Sequence, residues 1–370
     1  MSTNKVENYK QADGLRGILT LFVIARHWIP HGRKIGRLEE VFLSIISLIG
    51  EIGMYFFFVL SGFLITGILL KNRILAEAGN YNKVVIWKNY FIRRTLRIFP
   101  IYYLSLSVLI YFNVMWIREF SSWHISYMSN VLFYNINHWG IGGHLWSLSC
   151  EEQFYLIWPF LILFIPIRYL KNTIIGFIFL APFFRMLMNY FNPSMFTQLL
   201  TPAVFDGLGL GSLLATHRII PSFTLDSHIL KKKINTIGLV GINLILLFYF
   251  KPADLNIWNE FNPFYEFFFR SSFAMVGLFI VFGCINGFKG FWPFLLENRI
   301  VLFLGKISYS LYLLHNYQLY LFEWFKVSIQ TTGWYLIIQF GILLLFSTLS
   351  WYLFELPINN LKKYYPYLKK

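Results

Sequence analysis

Arg16 and His27 stand eleven residues apart in DGLRGILTLFVIARHW (residues 13–28), a stretch otherwise apolar enough to enter a bilayer. On a helix, eleven steps return His27 to within about 20° of the Arg16 face and about 16 Å further along the axis. Ionisable groups are expensive inside a membrane and mark function there. A guanidinium at the surface can hold an anionic group, and an imidazole below it, with an ordinary pKa near 6.5, can take a proton. Each residue also has a plainer reading. Arg16 could snorkel to lipid headgroups, and His27 could bond a neighbouring helix in the core.

Three further clusters carry chemistry. In FIRRTLRIFPIYY (91–103), Arg93, Arg94 and Arg97 precede an apolar run that contains Pro100. Arg93 and Arg97 share a helix face, and guanidinium forks suit phosphate better than lysine does. The alternative is a headgroup anchor. HLWSLSCEEQFYLIWP (144–159) sets Glu151 and Glu152 at the start of a hydrophobic span, with His144, Ser147, Ser149 and Gln153 nearby. Capping and the helix dipole account for one such Glu, and Ser147–Glu151 and Ser149–Gln153 pair at i, i+4. LGKISYSLYLLHNY (304–317) lines a helix with Ser308, Tyr309, Ser310, Tyr312 and His315, the pattern of helix packing in membranes. Asp206, among small residues, reads as a cap or a bond within the bundle. His124, His138, His217 and His228 receive no role.

The elements that must position these groups are membrane helices. Of 370 residues, 57% are hydrophobic and 13% charged, with mean hydropathy +0.56, whereas soluble domains run near 25% charged. The fold class expected is all-α: a polytopic integral membrane protein of about ten spans, near 14–30, 47–70, 98–115, 146–166, 172–190, 202–217, 235–250, 266–286, 307–325 and 334–355. Residues 1–12 form an N-terminal tail, 13–356 the transmembrane domain and 357–370 a basic tail. The net charge of +15 would point to nucleic acid in a soluble chain. Here Lys71, Arg73, Lys83, Lys88, Arg93, Arg94 and Arg97 cluster in one loop region, so the positive-inside rule absorbs it and no nucleic-acid partner is expected. That rule puts 71–97 and both termini in the cytoplasm, with Arg33, Lys34 and Arg37 a mild violation. Two cysteines, Cys150 and Cys284, in apolar surroundings indicate neither a disulfide framework nor a metal site.

Together the motifs resemble those of the acyltransferase family three membrane proteins, which O-acylate carbohydrates and some natural products. DGLRG with His27, FFFVLSGFLIT (56–66), RRTLRIFPIYY, HLWSLSCEEQFYLIWP and LGKISYSLYLLH occur in the family's order over roughly residues 13 to 316. The resemblance implies a bacterial cytoplasmic (inner) membrane enzyme that takes an acyl group, acetyl by family frequency, from acyl-CoA. The acceptor is a hydroxyl of an envelope glycan such as O-antigen or capsule. A small molecule such as a macrolide, or an oligosaccharide, is the alternative. No permanently bound cofactor and no metal are implied; acetyl-CoA is a substrate. His27 would be general base or transient acyl carrier, with Glu151 supporting it. Arg16, Arg93, Arg94 and Arg97 would bind CoA. His144, Ser147, Ser149, Glu152, Ser308 and Tyr309 would serve the acceptor or support the site.

Two departures stand out. Members often carry an arginine two positions before the aspartate of the sixth span; here that position is Val204, so Asp206 is given no donor role. Many carry a Ser-Gly-Asn-His esterase-like domain after the last span, and none is expected here, which leaves transfer to the membrane domain or to a separate protein. A transporter would call for inverted repeats or paired broken helices, and the sequence has no internal repeat. A sensory protein that has lost catalysis would not need His27, the arginines and Glu151 together.

Overall fold

The computed structural model describes residues 9–28, 37–79, 81–249, 263–317 and 333–368. The expected basic segment 31–40, the outer loops 251–265 and 326–333, most of the N-terminal tail and the second half of the ninth span fall largely or wholly outside the described residues. Among the described residues the chain is mostly helical, with no strand.

α1 (Lys10–Trp28), α2 (Arg37–Gly79) and α3 (Lys83–Tyr111) come first, followed by short helices α4 (Met115–Glu119), α5 (Ser121–Ile125) and α6 (Ser129–Ile136). α7 (Leu145–Phe164), α8 (Ile167–Phe191), α9 (Phe205–Ile219), α10 (Ser227–Tyr249) and α11 (Pro263–Asn286) continue the bundle. α12 (Trp292–Leu296), α13 (Arg299–Lys306), α14 (Ser308–Leu314) and α15 (Gly333–Ser350) lead to a π-turn at Trp351–Glu355. α16 (Leu356–Asn360) closes the series.

Among the described residues, five helices are long and apolar enough to cross a membrane: Val41–Gly79, Ile167–Phe191, Ser227–Tyr249, Phe264–Asn286 and Tyr335–Tyr364. Phe179 and Phe183 of α8, Leu239 and Leu247 of α10, and Ile337 and Ile338 of α15 are exposed. Apolar surface on that scale marks a contact with membrane or partner, and here the helix lengths point to lipid. Of the other expected spans, 14–30, 98–115 and 146–166 fall largely on α1, α3 and α7. α9 has 15 residues, about 22 Å of helix, and buries ten of them as a core element. The expected ninth span opens at Ile307, where α13 gives way to α14, and beyond Tyr317 it lies outside the described residues.

One helix start differs from expectation. α3 begins at Lys83, where the Asn82 side chain caps it by accepting from the Val84 amide at 2.8 Å. Arg93, Arg94 and Arg97 are therefore inside the helix and Pro100 lies in its interior, not near its start. α7 begins at Leu145, within a residue of the expected start, which carries Glu151 and Glu152 past the first turn. The helix dipole falls off within that turn, so it does not explain either carboxylate.

Glycine sets the closest approaches. A Cβ on Gly14 would fall 1.9 Å from the Leu296 carbonyl oxygen, and one on Gly305 would fall 1.9 Å from that of Asp13. α1 thus lies backbone to backbone on α12 and α13. In the same way a Cβ on Gly62 of α2 would fall 1.9 Å from the Leu208 carbonyl oxygen, and one on Gly211 of α9 would fall 1.8 Å from that of Val59. Small residues permit such packing where lipid provides no hydrophobic drive between helices. Gly14→Ala and Gly211→Ala are expected to destabilise by about 1–3 kcal/mol or more, as overpacking does. Gly341→Ala, whose Cβ would meet nothing within 4 Å, should be silent. Thermal melts of the three detergent-purified variants check this; equal melting temperatures would refute the packing argument.

Candidate functional site

A cavity of about 810 Å³ opens between α1, α2, α3, α7 and α14. On α1 it is lined by Arg16, Thr20, Val23 and His27, the i, i+4, i+7, i+11 series of a single helix face, and by Arg26 beside them. Thr20 Oγ1 donates to the Arg16 carbonyl at 2.7 Å, keeping its methyl and hydroxyl within the helix surface. His27 Nδ1 lies 2.7 Å from the Val23 carbonyl oxygen. That contact requires a proton on Nδ1 and so makes Nε2 the basic nitrogen of the neutral ring. The side chain itself is exposed on the cavity wall.

Arginines gather at the Arg16 end. Arg94 and Arg97 of α3 line the cavity with Arg16. Arg94 lies over the Tyr155 ring at 3.6 Å and reaches Glu152 only at 3.9 Å. Arg16 reaches Asp13 at 3.6 Å. Among the described residues Arg97 forms no ion pair or hydrogen bond, and its charged neighbours include Arg16 and Arg94. Contacts of 3.6–3.9 Å are too long for hydrogen bonds, so these guanidinium forks keep most of their donors for a ligand. Glu151 accepts from Ser61 Oγ at 2.8 Å, and Tyr155 donates to the same Ser61 at 2.9 Å. Such a relay fixes the Glu151 carboxylate on the cavity wall.

The expected residues divide. His27, Glu151, Arg16, Arg94, Arg97, His144, Ser147, Glu152, Ser308 and Tyr309 all line this one cavity. Arg93 does not. It donates to the Lys362 and Tyr365 carbonyls at 2.7 and 3.2 Å and lies over the Tyr367 ring, holding the basic tail against α3. Two residues that share a helix face by spacing are thereby put to different uses. Ser149 is buried and donates to the Leu145 carbonyl within its own helix at 3.0 Å. Gln153 turns away from it, donating to Asn130 and the Tyr127 carbonyl at 2.9 and 2.8 Å. Asp206 pairs with buried Arg185 of α8 at 2.8 Å, an arginine 21 residues upstream, where sequence reading had looked only two residues away. His124 is buried against Ser129, and burial pushes its imidazole down to about 4.

Sequence reading missed Arg26, Glu51 and Ser61. Arg26 and Glu51 pair at 2.6 Å on the cavity wall beside His27, and Arg270 of α11 approaches Glu51 at 3.7 Å. The signal was present: a lone arginine and a lone glutamate in apolar runs, each a functional candidate by default. Ser61 had none, since a serine in an apolar helix most often packs.

The acyltransferase domain of family three matches residues 9–356. The chain belongs to this family. O-acetyltransferase OatA of Staphylococcus aureus (strain NCTC 8325 / PS 47) is 28% identical over 370 residues, covering 94% of this chain and 57% of the relative. A putative O-acetyltransferase of Staphylococcus aureus strain COL is 27% identical over 372 residues, with the same coverage. The chain thus spans a little over half the length of these curated relatives. No solved structure matches it.

Because the Arg185–Asp206 pair lies outside the cavity, its role is stability. Asp206→Asn leaves a buried guanidinium poorly compensated, a change that costs about 3–5 kcal/mol. The melting temperature is expected to fall steeply while turnover per folded molecule stays near that of the unmodified protein. Loss of turnover at full stability would place Asp206 in the reaction instead.

Proposed function

We propose that the protein is a membrane O-acetyltransferase that moves an acyl group from cytoplasmic acyl-CoA to a hydroxyl of an envelope glycan. The single observation that carries this reading is one cavity with arginine forks at one end and His27 at the other. A chain belonging to an acyltransferase family, with relatives named O-acetyltransferases, supplies the reaction class. The arginine end suits the CoA phosphates. The helical rise of about 16 Å from Arg16 to His27 is comparable with a pantetheine arm, so the thioester reaches the imidazole while the nucleotide stays at the surface. This arrangement goes with ten spans and a cytoplasmic 71–97 segment, as the basic residues favour.

In the proposed mechanism, Nε2 of His27 accepts the proton of the acceptor hydroxyl as its oxygen attacks the thioester carbonyl. A new oxygen–carbon bond forms, the carbon–sulfur bond breaks, and CoA leaves as a thiolate that recovers the proton from His27. Glu151, fixed by Ser61, orients the acceptor or offsets the imidazolium charge, the third-group role of a triad. His144, Ser147, Ser308 and Tyr309 line the path to that point. The acceptor class rests on the family resemblance; an oligosaccharide or macrolide hydroxyl meets the same chemistry.

Arg97→Lys is expected to weaken CoA binding about tenfold or more, since about 1.5–3 kcal/mol accompanies a hydrogen bond to a charged group. Arg93→Lys should leave CoA affinity unchanged, because its contacts are to tail carbonyls. Binding of radiolabelled CoA to the two purified variants checks the contrast, and equal affinities would return the arginines to headgroup anchoring. His27→Gln should lower acyl transfer by about 10²–10⁴-fold, the usual loss of a general base, with CoA binding intact. Near-native transfer by a folded His27→Gln protein would refute the assignment.

A further inference from the structure

His27 is the first of three imidazoles in line. Its ring meets that of His315 edge to face with centroids 4.9 Å apart, and His315 meets His144 in the same manner at 4.8 Å. Trp28 Nε1 donates to the His315 carbonyl at 3.0 Å, tying the end of α1 to the end of α14. Among the described residues these rings do not converge as metal ligands.

The two inner histidines differ in their hydrogen bonds. His144 Nε2 donates to the Leu313 carbonyl at 3.0 Å, and its Nδ1 is 3.3 Å from the Asn316 side-chain amide, so both nitrogens have partners. His315 is fully buried and its Nδ1 donates to the Tyr312 carbonyl at 2.5 Å. That proton leaves Nε2 with a lone pair, and among the described residues Nε2 has no hydrogen-bond partner. An unpaired buried acceptor costs about 1–3 kcal/mol. A phenylalanine would fill similar space without that cost, so packing alone does not account for the imidazole.

We infer that His315 is a positioning residue that acts through His27: its Nε2 lone pair stabilises the imidazolium formed when His27 takes the hydroxyl proton. The inference rests on the reading of His27 as base. His315 neither gains nor loses a proton in the step. The positive charge resides on His27 until the CoA thiolate removes the proton, and the buried lone pair lowers the energy of that state. The charged groups around His27 are Arg26 of its own helix and Glu51 of α2, paired at 2.6 Å, with Arg270 of α11 3.7 Å from the same Glu51. The titratable neighbours of His315 are His27, His144, Tyr312 and, beyond His144, Tyr317.

The test compares His315→Phe, which keeps a ring and removes the acceptor, with His315→Gln, which keeps an acceptor oxygen. In the full-length purified protein, diethyl pyrocarbonate modification of His27, read by peptide mass spectrometry across pH, reports its protonation without any acyl substrate. His315→Phe is expected to keep or raise the melting temperature and to lower the His27 midpoint by about one pH unit, a tenfold loss of proton affinity. Transfer should fall 10- to 100-fold in kcat at unchanged acceptor KM. His315→Gln should restore much of both. An unchanged midpoint in His315→Phe overturns the inference, whatever happens to activity. If that variant does not fold, His315→Met, which also lacks a strong acceptor, is read in the same way. A shifted midpoint in a protein that transfers no acyl group would keep the coupling and refute the role of His27 in acyl transfer.

Discussion

An ionisable side chain inside an apolar bundle must either be paired or face a space that water or substrate can fill. That constraint organises this protein. Arg185 and Asp206 satisfy it by sealing each other in the core. Arg73, also buried, satisfies it with Glu77 and with the Ile162 and Ile165 carbonyls at the end of α7. His27, Glu51, Glu151 and Glu152, with Arg16, Arg26, Arg94 and Arg97, border the cavity. The glycine contacts explain why the cavity lies where it does. They draw α1 onto α12 and α13 and α2 onto α9, and the space left over is the gap that large polar side chains border.

The two ends of that gap are neutralised to different degrees. Beside His27, Arg26 and Glu51 form a close pair, so little field is left to attract an ion. At the Arg16 end the separations lengthen to 3.6 and 3.9 Å and Arg97 has no ion-pair partner among the described residues. Each guanidinium carries five N–H donors in a fixed fork. Donors directed into a low-dielectric cavity attract an anion more strongly than the same groups in water. The polarity of the cavity is therefore a property of its ion-pair distances rather than of its formal charge count.

Much of this was legible in the sequence, and the failures share a cause. Helical periodicity is local, so the face shared by Arg16 and His27 follows from spacing alone, and the membrane class follows from composition. Ten of the twelve expected site residues line one cavity because each stood out against an apolar background. Arg93 misled because face-sharing on one helix does not say which neighbour that face meets; its partners are some 270 residues away in the tail. Glu151 and Glu152 are a simpler case: the helix begins at Leu145, within a residue of the expected 146, so the capping account offered for one of them falls away. At α9, apolar length reflects burial within the protein, ten of its 15 residues being buried.

The DGLRG motif shows why so short a stretch can be specific. On an ideal helix Gly14 and Gly17 point roughly 120° around the axis from the mean direction of Arg16, Thr20, Val23 and His27. The glycine side lies against the Leu296, Val301 and Gly305 backbone, and the other side lines the cavity. One helix therefore performs two independent tasks, close packing on one side and chemistry on the other. They are coupled because the helix is rigid: the contact that admits no Cβ at Gly14 also fixes the depth and rotation of the whole face. Moving that contact by a fraction of an ångström displaces the guanidinium and the imidazole together. The spacing between the two groups is set by the helix, but their position relative to α3 and α14 is set by the glycines. A change remote from every reacting atom can thus shift both ends of the site at once.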